Sequence, residues 1–214
     1  MKTSELISML ASGPVAAGGH VTERRLGAAV AAGAVLSAAL VALLLGPRQD
    51  MAAAVLLPGF WIKLAFPVGL AMAALAATCR LARPGMALGS AGWFLATPLL
   101  VVVALGVAGV LAAPAGSRGA LVQGHSAMAC LASIVLLALP VGGLTLMALR
   151  TLAPTRPSVA GACAGLLAGA VAASVYAFHC DEMAAPFIAV WYLLGIAVPT
   201  AIAAALGPRL LRWA

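Results

Sequence analysis

Six apolar runs constrain this chain more than any other feature. They occupy residues 26–45, 58–79, 93–113, 127–149, 158–178 and 186–206, each 20 to 23 residues long. About 20 apolar residues in a helix are enough to cross the hydrocarbon core of a bilayer. What remains cannot clothe a soluble fold: 64% of the 214 residues are hydrophobic, only 8% are charged, and the mean hydropathy is +1.15. A soluble domain carries roughly 25% charged residues. This excludes a water-soluble globular enzyme, a disordered chain and an exposed nucleic-acid binder. Aromatic residues make up only 5%, and no segments of about 10 residues alternate apolar with polar as barrel strands do. The sequence predicts an all-α polytopic membrane protein, a bundle of six transmembrane helices.

Three regions follow: a cytoplasmic N-terminal segment, 1–25, with a short amphipathic helix; a transmembrane domain, 26–206; and a cytoplasmic tail, 207–214. Orientation comes from the cations. With the N-terminus inside, the inner segments hold Lys2, Arg24, Arg25, Arg80, Arg83, Arg150, Arg156, Arg209 and Arg212, whereas the outer side holds Arg48, Arg118 and Lys63. That asymmetry satisfies the positive-inside rule with both termini cytoplasmic. The net charge of +7 is thereby accounted for as a determinant of topology, and no direct nucleic-acid partner is expected. Lys63 lies about one turn into the second span and is expected to snorkel outward beside Trp61.

No Asp, Glu, Arg or His falls near the middle of a span. Ion-coupled transporters and proton relays place ionisable groups there, which argues against a secondary transporter. Thr97, Ser133, Thr145, Ser174, Tyr176 and Thr200 remain, and hydroxyls of this kind are expected to bond to their own helix or to glue helices together. Gly161, Gly165 and Gly169 form a GxxxGxxxG ladder in the fifth run, expected to pack within the bundle. No Ser-His-Asp set, HExxH, Walker loop or CxxC spacing is present, so no catalytic constellation is predicted.

Two places carry residues that lipid solubility does not require. The charge-derived topology puts Cys79 and Cys163 near the inner face, where inert packing is expected, and Cys130 and Cys180 near the oxidising outer face. Around the outer pair stand His125, His179, Asp181 and Glu182, in a chain with only three histidines and five acidic residues. Thiolate, imidazole and carboxylate can close a disulfide or take a soft or borderline ion such as Zn²⁺. A small buried hydrophobe beside a polar outer loop is the plainer account, and the residues alone leave it open. The second place is the N-terminus. Thr3 or Ser4 can cap a helix, with Glu5 in its first turn, on which Leu6, Ile7, Met9 and Leu10 present an apolar patch. That patch can lie on membrane lipid or enter a groove of a soluble partner.

The opening MKTSELISMLA, the six-run layout, the stretch FHCDEMAAPFIAVWYLLGIA at 178–197 and the closing GPRLLRW at 207–213 together resemble the NrsF family, bacterial inner-membrane anti-sigma factors named as negative regulators of sigma F. The resemblance covers the whole chain and is most specific in its C-terminal stretch. It implies a partner, an extracytoplasmic-function sigma factor held at the membrane and released under heavy-metal or oxidative stress. It also implies two periplasmic cysteines that matter for the response, here Cys130 and Cys180, and a sigma-factor contact through Leu6, Ile7, Met9 and Leu10 with help from the inner loops. No resident cofactor is implied beyond a Zn or other heavy-metal ion at the two cysteines. A membrane thiol oxidoreductase working through the same pair is the competing class, disfavoured by the absence of CxxC; a small-solute transporter is disfavoured by the empty midplane.

Overall fold

The computed structural model describes residues 3–5, 8, 19–83, 85–152 and 154–211. The described residues are overwhelmingly helical and contain no strand. Six long helices account for the bundle: α1 (Gly19–Leu40, continued by a π-helical turn Val41–Leu45), α2 (Pro58–Leu81), α3 (Ala91–Ala112), α4 (Ala127–Arg150), α5 (Pro157–Tyr176) and α6 (Ala185–Phe187, running through a π-turn at Ile188–Tyr192 into Leu193–Leu210). Each is long and apolar enough to cross a membrane. Proline at the first position starts α2 and α5, where its missing N–H leaves no intrahelical bond unmade.

The helices match the six apolar runs, with instructive shifts at their ends. α1 begins at Gly19 rather than at residue 26, carrying Glu23, Arg24 and Arg25 within the helix, because nothing in 19–25 breaks it. α6 continues to Leu210, into the expected tail. α5 stops at Tyr176, two residues short of the fifth run, which frees residues 177–184 as a loop. Gly46, at φ 76°, ends the π-turn after α1, a left-handed conformation that costs glycine nothing.

α5 is the axis of the bundle. Two thirds of its apolar window is buried, against 11% for α3, and it packs on α6, α4 and α2, with α1 laid along α4 and α3 along α2. Helices in lipid gain little from burying apolar surface against one another, so close backbone approach has to hold them. The glycine ladder supplies it. A β-carbon on Gly161 would strike the Ala203 carbonyl, one on Gly165 the Pro199 carbonyl, and one on Gly169 the Cα of Ile196. The ladder therefore packs against α6 inside the bundle. Gly33 does the same for α1, against the backbone of Val141, and Ser37 donates from α1 to the Leu137 carbonyl at 2.7 Å. Thr97, Thr145, Ser174 and Thr200 each bond to the carbonyl four residues back, and Ser133 meets Tyr176.

Buried side chains gather into two clusters, one toward each end. The first contains Cys130, Ile134, Tyr176, Cys180, Phe187 and Tyr192; the second contains Leu26, Cys79, Leu81, Leu149 and Cys163. Cys79 and Cys163 thus sit among packing residues, as the sequence predicts. Large apolar side chains such as Leu43, Leu56, Trp93 and Met128 stand exposed around the outside, which is compatible with a bundle set in lipid.

Candidate functional site

The loop 177–184 is short, polar and tied down on three sides, and it carries Cys180. From one side comes the α1–α2 connection: the backbone N–H of Arg48 donates to the Phe178 carbonyl at 3.2 Å, and the Arg48 side chain reaches the Cys180 carbonyl at 3.4 Å while gripping both oxygens of Asp50 at 2.6 Å. His179 donates from Nδ1 to the Gly46 carbonyl at 2.7 Å. From another side comes the turn before α4. Glu182 accepts the backbone N–H of His125 at 2.8 Å and stands 3.0 Å from its Nδ1, while Asp181 lies 3.3 Å from Nε2. Gly124 is required for this closure. Its φ is 54°, and a β-carbon would run into the Glu182 carboxylate and the Phe187 ring.

The third tie is Lys63, and here the structure corrects the sequence reading. Lys63 does not snorkel outward. It is fully buried, turned into the bundle, and its ammonium donates to the Cys180 carbonyl at 2.7 Å and to the Glu182 carbonyl at 2.8 Å. The reason is supply: two carbonyls left free by the end of α5 replace the water that a snorkelling lysine seeks. The exposed neighbour is Trp61, whose indole N–H bonds to the Val55 carbonyl.

Beneath this strap, the Cys130 and Cys180 side chains lie close together, although fifty residues separate them. Both are buried and both are free thiols. The Cys180 sulfur is surrounded by donors. Its pKa is drawn down to about 6, chiefly by the hydrogen bond from Cys130; burial opposes that, and the Lys63 charge, the Tyr192 hydroxyl and the Glu182 backbone N–H add to it. Tyr192 is fully buried at the π-turn of α6 beside the Cys180 sulfur, and its hydroxyl has no hydrogen-bond partner in good geometry among the described residues. A thiolate at neutral pH, one thiol donating to it, is the nucleophilic form of cysteine.

The sequence candidates thus fall into two groups. Cys130 and Cys180 meet in the buried pocket. His125, Asp181 and Glu182 meet above it near the surface, where the hydrogen bond to Asp181 and the charge of Glu182 raise the His125 pKa. Burial alone would raise the Asp181 pKa, but the His125 hydrogen bond holds it below its ordinary value. His179 is drawn aside to Gly46. Among the described residues, no three or more His, Cys, Asp or Glu side chains converge as a metal shell would. Leu6, Ile7, Met9 and Leu10 lie outside the described residues; Thr3, Ser4, Glu5 and Ser8 beside them are helical and exposed. Sequence reasoning missed Lys63, Tyr192 and Gly124 as parts of the site. Lys63 carried a usable signal, being one of two lysines and the one inside a span, since an ionisable group at that depth marks a functional site by default.

Comparison with known proteins gives a consistent result. The family described as "Negative regulator of sigma F", NrsF, matches residues 10–213. The chain is 42% identical over 213 residues to the "Probable anti-sigma-F factor NrsF" of Azospira oryzae, and 37% identical over 217 residues to the "Anti-sigma-F factor NrsF" of Caulobacter vibrioides, with the whole of each chain covered in both cases. No solved structure matches.

Proposed function

The chain belongs to the NrsF family of negative regulators of sigma F, and from that premise we propose that it holds an extracytoplasmic-function sigma factor at the bacterial inner membrane and releases it when the Cys130–Cys180 pair is oxidised. The observation that carries the reading is the proximity of these two buried free cysteines, at the end of the bundle that the cation asymmetry assigns to the periplasm. A regulatory role, not an enzymatic one, fits the family.

The chemistry is a two-electron oxidation by a peroxide. The Cys180 thiolate attacks one peroxide oxygen, becoming a sulfenic acid and expelling hydroxide. The Cys130 thiol then attacks that sulfur, the S–S bond forms, and water leaves. The peroxide is reduced and the two sulfurs are oxidised. Capture of a heavy-metal ion by the same sulfurs is the competing chemistry, and it leaves a different product. Either event biases one packing of the bundle over another.

At the opposite end, Arg83 meets Glu23 at 2.9 Å, tying the end of α2 to the first turns of α1, directly after the N-terminal segment. Leu6, Ile7, Met9 and Leu10 in that segment are the proposed sigma-factor contact, with a few apolar anchors supplying most of a small interface. The test is co-purification of the sigma factor with the full chain solubilised from membranes. The chain retains it in resting cells and loses it after hydrogen peroxide, whereas the Cys130→Ser, Cys180→Ser double variant retains it throughout. Leu6→Asp with Leu10→Asp abolishes retention without removing the chain from the membrane. Loss of the sigma factor from the double cysteine variant under peroxide would overturn the thiol reading. Unchanged retention by the leucine variant would move the contact to the inner loops.

A further inference from the structure

We propose that Lys63 is the positioning residue of the thiol pair and the latch of its resting state: its ammonium fastens the Cys180 loop to α2, and reaction at the Cys180 sulfur undoes that fastening. The inference deepens the thiol reading above and rests on it.

An ammonium has three N–H donors, and Lys63 uses them on one loop. Two go to the carbonyls of Cys180 and Glu182, and the Cys180 side chain lies close by. The ring of Tyr192 lies 5.5 Å from Nζ, within cation–π range. The charge is shut away from solvent, where an unpaired ion is strongly disfavoured. Yet among the described residues no carboxylate pairs with it: Glu182 turns its side chain to His125, and Asp50 is taken by Arg48. The nearby Arg48 charge repels it. The Cys180 and Glu182 carbonyls are therefore what holds the Lys63 charge in place.

That makes the latch conditional on where the Cys180 loop sits. In a disulfide, the new bond from the Cys180 sulfur draws the loop, with its two carbonyls, toward Cys130 in α4, whereas Cys180→Ser leaves both carbonyls and the latch in place. Lys63 is then left as a buried cation short of acceptors, so the favoured response is to separate the loop from α2. α2 runs unbroken from Pro58 to Leu81, with Lys63 in its second turn and Arg80 in its last. Arg83, just beyond, holds Glu23 of α1 through an exposed ion pair, a contact of the kind that exchanges at little cost. A shift of α2 at the lysine end is thereby felt at the base of the N-terminal segment.

Two measurements on the full chain in membranes test this. The first is the rate at which a membrane-impermeant maleimide modifies Cys180 in a chain whose other three cysteines are alanine. Lys63→Met exposes the loop and raises that rate by about tenfold or more, the scale expected when charge-assisted hydrogen bonds are lost. Lys63→Arg, which keeps charge and donors, restores most of the protection. The second is sigma-dependent transcription: Lys63→Met releases the sigma factor without peroxide, and does so equally in the Cys130→Ser, Cys180→Ser background. A chain carrying Lys63→Met with Cys79 or Cys163 as its single cysteine stays unmodified if the variant folds normally. If it fails to accumulate, Lys63→Gln, which keeps two donors and drops the charge, modifies at an intermediate rate. Labelling of Cys180 at the unaltered rate in Lys63→Met, or in Lys63→Gln where that variant stands in, would overturn the proposal. So would peroxide-dependent release by Lys63→Met that matches the unaltered chain. Failure of the thiol reading shows separately, as full peroxide induction in the double cysteine variant with Lys63 intact.

Discussion

At the scale of single residues, the site separates into a buried pair of sulfurs and an exposed catch above it, and the catch has its own pH dependence. The His125 pKa is raised in the folded protein, first by the hydrogen bond to Asp181 and then by Glu182. Its contribution to holding the loop is therefore complete below the ordinary histidine value of about 6.5 and disappears as pH rises through the raised value. The Asp181 pKa is lowered, so its contribution is present above the ordinary value of about 3.9 and fails as pH falls through the depressed one. Protection of the His125 backbone N–H, which Glu182 accepts, is expected to be greatest between those limits and to decline above about pH 6.5. Hydrogen exchange corrected for intrinsic rates measures it, with His125→Gln flattening the profile; equal protection at pH 6 and pH 8.5 in the unaltered chain would refute the catch. Cys130, Cys180, His125, Asp181 and Glu182 could be picked from sequence because they are scarce chemistries in an apolar chain. The role of Lys63 could not, because it depends on two carbonyls released where α5 stops at Tyr176, and that stop leaves no mark in hydropathy.

At the scale of helices, the strongest sequence statement was the glycine ladder, and its meaning became definite through its partner. Gly161, Gly165 and Gly169 face α6 at backbone contact, whereas Gly69 in α2 has open space where a β-carbon would go. The two kinds of glycine are expected to respond oppositely. Gly165→Val forces α5 away from Pro199 and Ala203 and costs about 1–3 kcal/mol or more, the range for overpacking a close contact. Gly69→Ala is neutral or gains about 0.5–1 kcal/mol from the better helix former. Thermal unfolding in detergent micelles separates them, and a Gly165→Val chain as stable as the parent would remove α5–α6 contact as the organising interaction. Helix ends were less legible than helix existence. Hydropathy marks where the chain meets hydrocarbon, but the helical hydrogen bonds of α1 and α6 run on past that boundary through Arg24, Arg25 and Arg209.

At the scale of the whole molecule, the bundle is a body with two distinct ends, one carrying the strapped cysteines and the other the Glu23–Arg83 pair and most of the arginines. In the proposed topology the first end faces the periplasm, as the Lys and Arg distribution predicts. Reporter fusions after Gly46, Ala115 and Asp181 are expected to read periplasmic, and those after Arg83 and Pro154 cytoplasmic; a cytoplasmic reading at Asp181 would remove the sensing pair from the oxidising side. Fifty residues of sequence gave no warrant for placing Cys130 against Cys180, since their contact depends on α4, α5 and α6 meeting at one end. The most direct test of the switch is to quench cells with acid during peroxide exposure and alkylate the remaining thiols. The Cys130–Cys180 disulfide is then quantified in a chain lacking Cys79 and Cys163, alongside sigma-dependent transcription. The account predicts that the disulfide forms before transcription rises and that the two increase together with peroxide dose. Full induction while both thiols remain free to alkylate would contradict it.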